Sequence, residues 1–156
     1  MGDTHWRYAH QHLGEPPLPD GQPILRPIVT VAVSNHPQVL LAVVDSGSPI
    51  SVADATLFSR FGIDLAVDEP LFEVPLRLGG GFGRIPIYEV ELLLGAPSGS
   101  EAAAIPWRLH LGARANWTLP FTILLGQRGW FNRYPTTIDI DSTRVETTPN
   151  LTERVA

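Results

Sequence analysis

The sequence predicts a β-rich fold, and three observations carry that prediction. Among 156 residues there are 14 glycines and 15 prolines, so turns are frequent and long helices few. Short runs alternate apolar with polar residues, the period of a half-buried strand. Helical spacing is confined to short pieces, chiefly around Leu57, Phe58 and Phe61.

Length and composition bound the rest. A chain of this size makes one domain with room for a single core. Its apolar fraction of 44% is ordinary for a globular protein, and its charged fraction of 17% is low. The net charge of −5 is not gathered into blocks, and no basic stripe is present, so nucleic acid is not an expected partner. The absence of cysteine excludes disulfides and thiolate metal sites. The start, Met1 to Trp6, is polar and lacks a signal-peptide apolar region. No apolar run approaches the roughly 18 residues of a membrane span. The expectation is a cytoplasmic protein with no membrane partner and no cofactor.

Residues 1–26 are expected to form an arm or linker, because Gly14 to Gly21 is rich in proline and glycine. His5, His10 and His12 fall in this arm. No carboxylate or cysteine completes a ligand set with them, so they are taken as incidental rather than as a metal site. Order is expected from Pro27. Ile28 to Val33 alternates, with Val29, Val31 and Val33 on one face, and Ser34 to Pro37 is a turn. Val39 to Val44 is apolar on both faces, a central strand, and it ends in Asp45-Ser46-Gly47-Ser48.

A carboxylate at the end of a buried strand is costly unless it is hydrogen-bonded. Ser46 supplies a hydroxyl, and Gly47 lets the backbone approach closely. The loop therefore reads as a candidate catalytic element. It also admits a structural reading, with Asp45 capping nearby backbone N–H groups.

Ser51-Val52-Ala53-Asp54 has capping-box spacing, which predicts a short helix stopped at Gly62. Leu71 to Leu78 and Ile85 to Leu94 alternate and flank Gly79-Gly80-Gly81-Phe82-Gly83, which predicts a long hairpin with a glycine-rich tip. A phosphate-binding reading of those glycines is set aside, because such a loop should open a helix and Arg84 to Tyr88 reads as strand. Trp107, Leu109 and Leu111 mark another strand. Phe121 to Gly126 is a second buried strand ending in glycine, and Trp130 to Tyr134 a helical turn. Thr137 to Asp141 is a last strand, and 142–156 a tail without pattern. No Gly-x-Ser-x-Gly elbow for a serine nucleophile is present.

Three elements thus follow one another: a strand delivering Asp45-Ser46-Gly47-Ser48, the hairpin tipped by Gly80 to Gly83, and Ile123-Leu124-Leu125-Gly126. In this order and near this spacing, residues 27–141 resemble the retropepsin-like aspartic proteases. The resemblance implies a closed acid-protease-type β-barrel, all-β with one or two short helices, with one lobe per chain. It implies a metal-independent aspartic endopeptidase acting on peptide or protein substrates. Only one Asp-Ser-Gly is present, so the resemblance implies a homodimer in which Asp45 of each copy meets the other at the two-fold axis.

By the same resemblance Ser46 would bond across the interface and Gly47 would accept from substrate amides. Ser48 would line a subsite, Gly80, Gly81, Phe82 and Gly83 would form a flap, and Leu124, Leu125 and Gly126 would wall the pocket. Two positions depart from the retroviral pattern. Pro49 and Gln127 stand where an aspartate and an arginine form an ion pair. That departure motivates the alternative of a catalytically silent peptide-binding or assembly module.

Overall fold

The computed structural model describes residues 4–78 and 81–148. In chain order the strands are β1 (His5–Ala9), β2 (Ile28–Val33), β3 (His36–Val44) and β4 (Ser51–Asp54), then a 3-10 helix (Ala55–Phe61). β5 (Phe72–Leu78), β6 (Gly81–Leu94), β7 (Ile105–Arg114), β8 (Ile123–Leu125), β9 (Thr136–Ile138) and β10 (Ser142–Glu146) follow. The strands lie in the order β2-β3-β8-β4-β7-β6, and β6 pairs back onto β2. Six strands therefore close into a barrel, with β5 added outside β6. Closure removes most of the unpaired edges that an open sheet would present.

Alternation decides what fills the barrel. Val29, Val31, Leu92, Leu94, Leu111, Ile123 and Leu125 point inward and are essentially inaccessible. Glu89 and Glu91, between the inward Tyr88, Val90 and Leu92, are exposed, as the two-residue period requires. Phe58 of the 3-10 helix closes one side of this core against Tyr88, ring centroids 5.7 Å apart. Trp107, Trp130 and Tyr134 form a second buttress, with Trp130 and Tyr134 at 4.7 Å.

The helix does not start where the capping spacing placed it. Ser51 to Asp54 is strand, and Asp54 is the N-cap, its carboxylate accepting from Thr56 N–H at 3.0 Å. The Ser51 hydroxyl is used elsewhere. It accepts from Gly126 N–H at 2.9 Å and donates to the Arg128 carbonyl at 2.6 Å. Those two tertiary bonds, with ladders to β7 and β8 on either side, override the local signal. Gly62 ends the helix in the left-handed conformation at φ +74°, as expected.

Two strands lie where the sequence suggested an arm and a patternless tail. β1 pairs antiparallel with β10, from His5↔Glu146 to Ala9↔Ser142, and β10 pairs with β9. Trp6, Tyr8 and Val145 are buried from this sheet into the main core. Patternless ends at 1–26 and from Ser142 are therefore corrected for these strands. His10 contacts the Thr143 hydroxyl at 3.1 Å, and His12 the Glu15 carbonyl at 2.9 Å.

Candidate functional site

Three strands position the Asp45 loop. β3 runs parallel to β8, with Val43↔Leu124 and Val44↔Leu125. β4 runs antiparallel to β8 on its other side, with Val52↔Leu124. Residues 45–50 join β3 to β4, so they must arch around the end of β8, where Gly126 lies. The fit leaves no room for a side chain at Gly126. A Cβ there would collide with the Ile50 carbonyl oxygen and lie 2.6 Å from that of Ser48. Glycine is needed here for close approach rather than for turn geometry.

Within the arch, Asp45 is half-buried. Its N–H donates to the Leu125 carbonyl at 2.9 Å, which continues the β3–β8 ladder. Its Oδ1 accepts from Gly47 N–H at 2.9 Å. That bond is the capping role open to any turn aspartate. The other oxygen, Oδ2, has no hydrogen-bond partner among the described residues. The carboxylate is thus oriented by one oxygen and free at the other.

Gln127 takes over the stapling of the loop. Its Nε2 donates to the Ser46 carbonyl at 2.9 Å, and its N–H to the Ser48 carbonyl at 2.8 Å. Arg128 N–H donates to the Pro49 carbonyl at 3.2 Å. The loop is therefore fastened to the turn after β8 by neutral bonds, with Pro49 and Gln127 in place of an ion pair. The Ser48 hydroxyl donates to the Ile50 carbonyl at 2.7 Å, so it closes the loop on itself.

The surroundings follow from alternation along β3 and β8. Val44 and Leu125 face the main core, whereas Val43 and Leu124 face the outer side, the side of Asp45. Leu125 is fully buried and turned away from the carboxylate, which corrects its expected place as pocket wall. Leu124 is half-buried. It packs with two outer clusters, one of Ile28, Val43 and Phe121 and one of Ile50, Val52, Ile85 and Ile87. Trp117 bridges both clusters, its indole N–H bonded to the Phe121 carbonyl at 2.6 Å. Leu13 of the N-terminal arm packs on the first. Sequence spacing did not single out Trp117 or Leu13, which lie in loops with no period, and Phe121, expected as the first residue of the buried strand, lies just before β8.

The hairpin of β5 and β6 pairs as far as Leu78↔Gly81, with Leu76↔Gly83 behind it. Its root joins the site, because Val74 and Leu76 pack with Ile85, Ile87 and Leu124. Gly79 and Gly80 lie outside the described residues, as does the Phe82 side chain.

No family model and no curated protein matches the chain. Solved structures do. A retropepsin-like aspartic protease from Rickettsia conorii superposes with a TM-score of 0.52 at 17% identity, over 90% of this chain and 89% of that one. EIAV protease in complex with the inhibitor HBY-793 covers 65% of this chain and 82% of its own, at 16% identity and a TM-score of 0.33. That second likeness is too distant to carry weight. The first spans nearly the whole of both chains and agrees with the six-stranded closure. The chain has the retropepsin-like fold.

Proposed function

We propose that the chain is one subunit of a homodimeric aspartic endopeptidase that hydrolyses peptide bonds in extended segments. The observation that carries this reading is the state of Asp45. It is delivered by a buried strand and oriented through Oδ1 by Gly47, with Oδ2 left unbonded beside an apolar surface. The chain holds a single Asp-Ser-Gly, so the second carboxylate comes from a second copy.

The chemistry is that of aspartic proteases generally. Two carboxyls about 3 Å apart share one proton, because both cannot ionise together. The ionised one takes a proton from a water as its oxygen attacks the scissile carbonyl carbon. The protonated one donates to the carbonyl oxygen as the tetrahedral adduct forms. Collapse of the adduct breaks the C–N bond: the proton held by the first carboxyl passes to the leaving nitrogen, and one adduct hydroxyl returns its proton to the second carboxylate, which restores the starting pair.

Gly47 and Ser48 present backbone to the substrate amides. Gly80, Gly81, Phe82 and Gly83 close over the substrate by strand-like pairing. Leu124 walls the pocket, while Gly126 lets the loop close. Ser46 bonds across the interface to hold the two loops together, a role its exposure at the crest of the arch supports.

A peptide-library digest at acid and neutral pH tests this reading. We expect reproducible, pepstatin-sensitive cleavage by the wild type and none by Asp45→Asn, with fold and dimer unchanged. Wild-type protein that binds peptides without cutting would replace this reading with that of a silent binding module.

A further inference from the structure

One residue of the N-terminal arm reaches the face that carries Asp45. Leu41 and Val43 share that face by the two-residue period, and Asp45 continues it past the end of β3. Val43 and its partner Ile28 form an apolar cluster there with Phe121, on which half-buried Leu124 packs. Leu13 packs on the same cluster. It too is half-buried, so part of its side chain stays open. Two residues of an extended chain span about 7 Å. A substrate side chain that meets this cluster therefore lies within a residue or two of the bond held at Asp45.

The arm is fixed on both sides of that contact. Burial alternates along it, with Gln11, Leu13 and Glu15 half-buried and His12 and Gly14 exposed. Gln11 and Glu15, two residues to either side of Leu13, are both held by Arg26. Gln11 and Arg26 exchange backbone hydrogen bonds at 2.8 and 3.0 Å. The Arg26 guanidinium forks onto Glu15, Nε to Oε1 at 2.8 Å and Nη2 to Oε2 at 2.6 Å. Such a bidentate pair fixes geometry as well as charge. Upstream, His10 N–H donates to the Asp141 carbonyl at 2.8 Å, and β1 is laced to β10. A segment tied down in this way belongs to the wall; it is not a plug that leaves.

We propose that Leu13 is a specificity-determining residue: it completes the apolar wall beside Asp45 and sets the size of the substrate side chain accepted there. The proposal rests on the peptidase reading and deepens it by naming a substrate class, peptides with an apolar side chain next to the scissile bond. Leu13, Ile28, Val43, Phe121 and Leu124 offer no hydrogen-bonding side chain, so a polar residue placed against them would lose water without a replacement.

The test is a set of peptides, cut by the full chain, that vary one position at a time near the scissile bond from valine to tryptophan. Leu13→Ala shortens the wall. Small side chains then lose a contact and large ones gain room, so both effects raise the ratio of kcat/KM for large over small. A rise of about tenfold or more is expected at one position, since a single methylene in an apolar pocket is worth about that much. Leu13→Phe should lower the same ratio. Leu13→Met, which nearly keeps the volume, should leave it close to wild type. Preferences at the other positions should not move in any of the three.

A purely structural Leu13 would lower kcat/KM for every peptide alike in Leu13→Ala, and an arm that obstructs the cleft would raise it for every peptide alike. Either result would overturn the proposal, as would a ratio unchanged in both Leu13→Ala and Leu13→Phe. If one of these two does not fold, the other decides against Leu13→Met. A wild type that binds the peptides without cutting them would sink the peptidase reading alone, and the same ratios, read as dissociation constants, would then judge Leu13. A wild type that does neither would remove the cleft and the proposal with it.

Discussion

Two aspartate turns in this molecule make opposite use of the same side chain. In Asp45-Ser46-Gly47-Ser48 the carboxylate accepts one backbone bond, from Gly47, and keeps Oδ2 open. In Asp139-Ile140-Asp141-Ser142 the carboxylate is saturated. Asp139 Oδ1 accepts from Asp141 N–H at 3.1 Å and from Ser142 N–H at 2.8 Å, and the Ser142 hydroxyl reaches both oxygens at 3.0 and 3.2 Å. Arg7 stands 3.7 Å away across the sheet. Those bonds, the Asp141 N–H first, pull the Asp139 carboxyl down to about 2. A carboxylate so fully occupied holds a turn and has nothing left to offer water. The comparison separates an aspartate spent on structure from one held ready by a single oxygen.

The largest effect should come from exchanging the two. Asp45→Asn should remove all cleavage with little change in stability. Asp139→Asn should leave cleavage intact, and equal losses of activity in both variants would erase the distinction. Next in size is Gly126→Ala. The added methyl meets the Ile50 and Ser48 carbonyls, and it should cost about 3 kcal/mol of unfolding free energy, the upper end for overpacking. Urea denaturation measures this, and a midpoint equal to wild type would mean that the arch does not wrap Gly126.

Smaller still is Gln127→Ala, which removes the bond to the Ser46 carbonyl. A net loss of about 1 kcal/mol or less is expected for one such bond at an exposed position. Cleavage should fall more than stability, because the loop that carries Asp45 is loosened. An effect on stability alone would demote Gln127 to a surface residue.

The smallest effect is a pH dependence. The folded-state pKa of Asp139 is lowered from 3.8 to about 2. Its stabilising contribution is therefore complete above the unfolded value and is lost as pH falls from there through the folded one. Asp139→Asn should flatten this part of the acid limb of stability, readable as a smaller drop in urea midpoint between neutral pH and about pH 3.

The barrel was legible where strands alternate. β2, β6 and β7 show the two-residue period in Val29 to Val33, Tyr88 to Leu94 and Trp107 to Leu111, and β3 stood out as a run apolar on both faces from Val39 to Val44. What stayed hidden depended on distant partners. β1 and β10 are each five residues long and pair across nearly the full length of the chain, so no neighbouring segment marks the pairing, and the short alternation of Trp6 and Tyr8 did not stand out. Ser51 looked like a helix cap because its hydroxyl's real partners, Gly126 and Arg128, lie more than seventy residues away.

The Asp45 loop, Gly126 and the hairpin were visible as motifs. Leu125 was misplaced by one position of alternation relative to Leu124. The Arg26–Glu15 ion pair was not legible, because nothing local marks an ion pair across a proline-rich loop.

The central claim is that each chain carries half of a catalytic site centred on Asp45. Its most direct test is to mix chains. A fixed amount of wild type is assayed with substrate in excess while Asp45→Asn chain is added under conditions that let subunits exchange. The account predicts that cleavage falls toward zero as wild-type subunits are drawn into pairs holding a single carboxylate. A rate that stays constant at every ratio, in a sample shown to form mixed pairs, would contradict it.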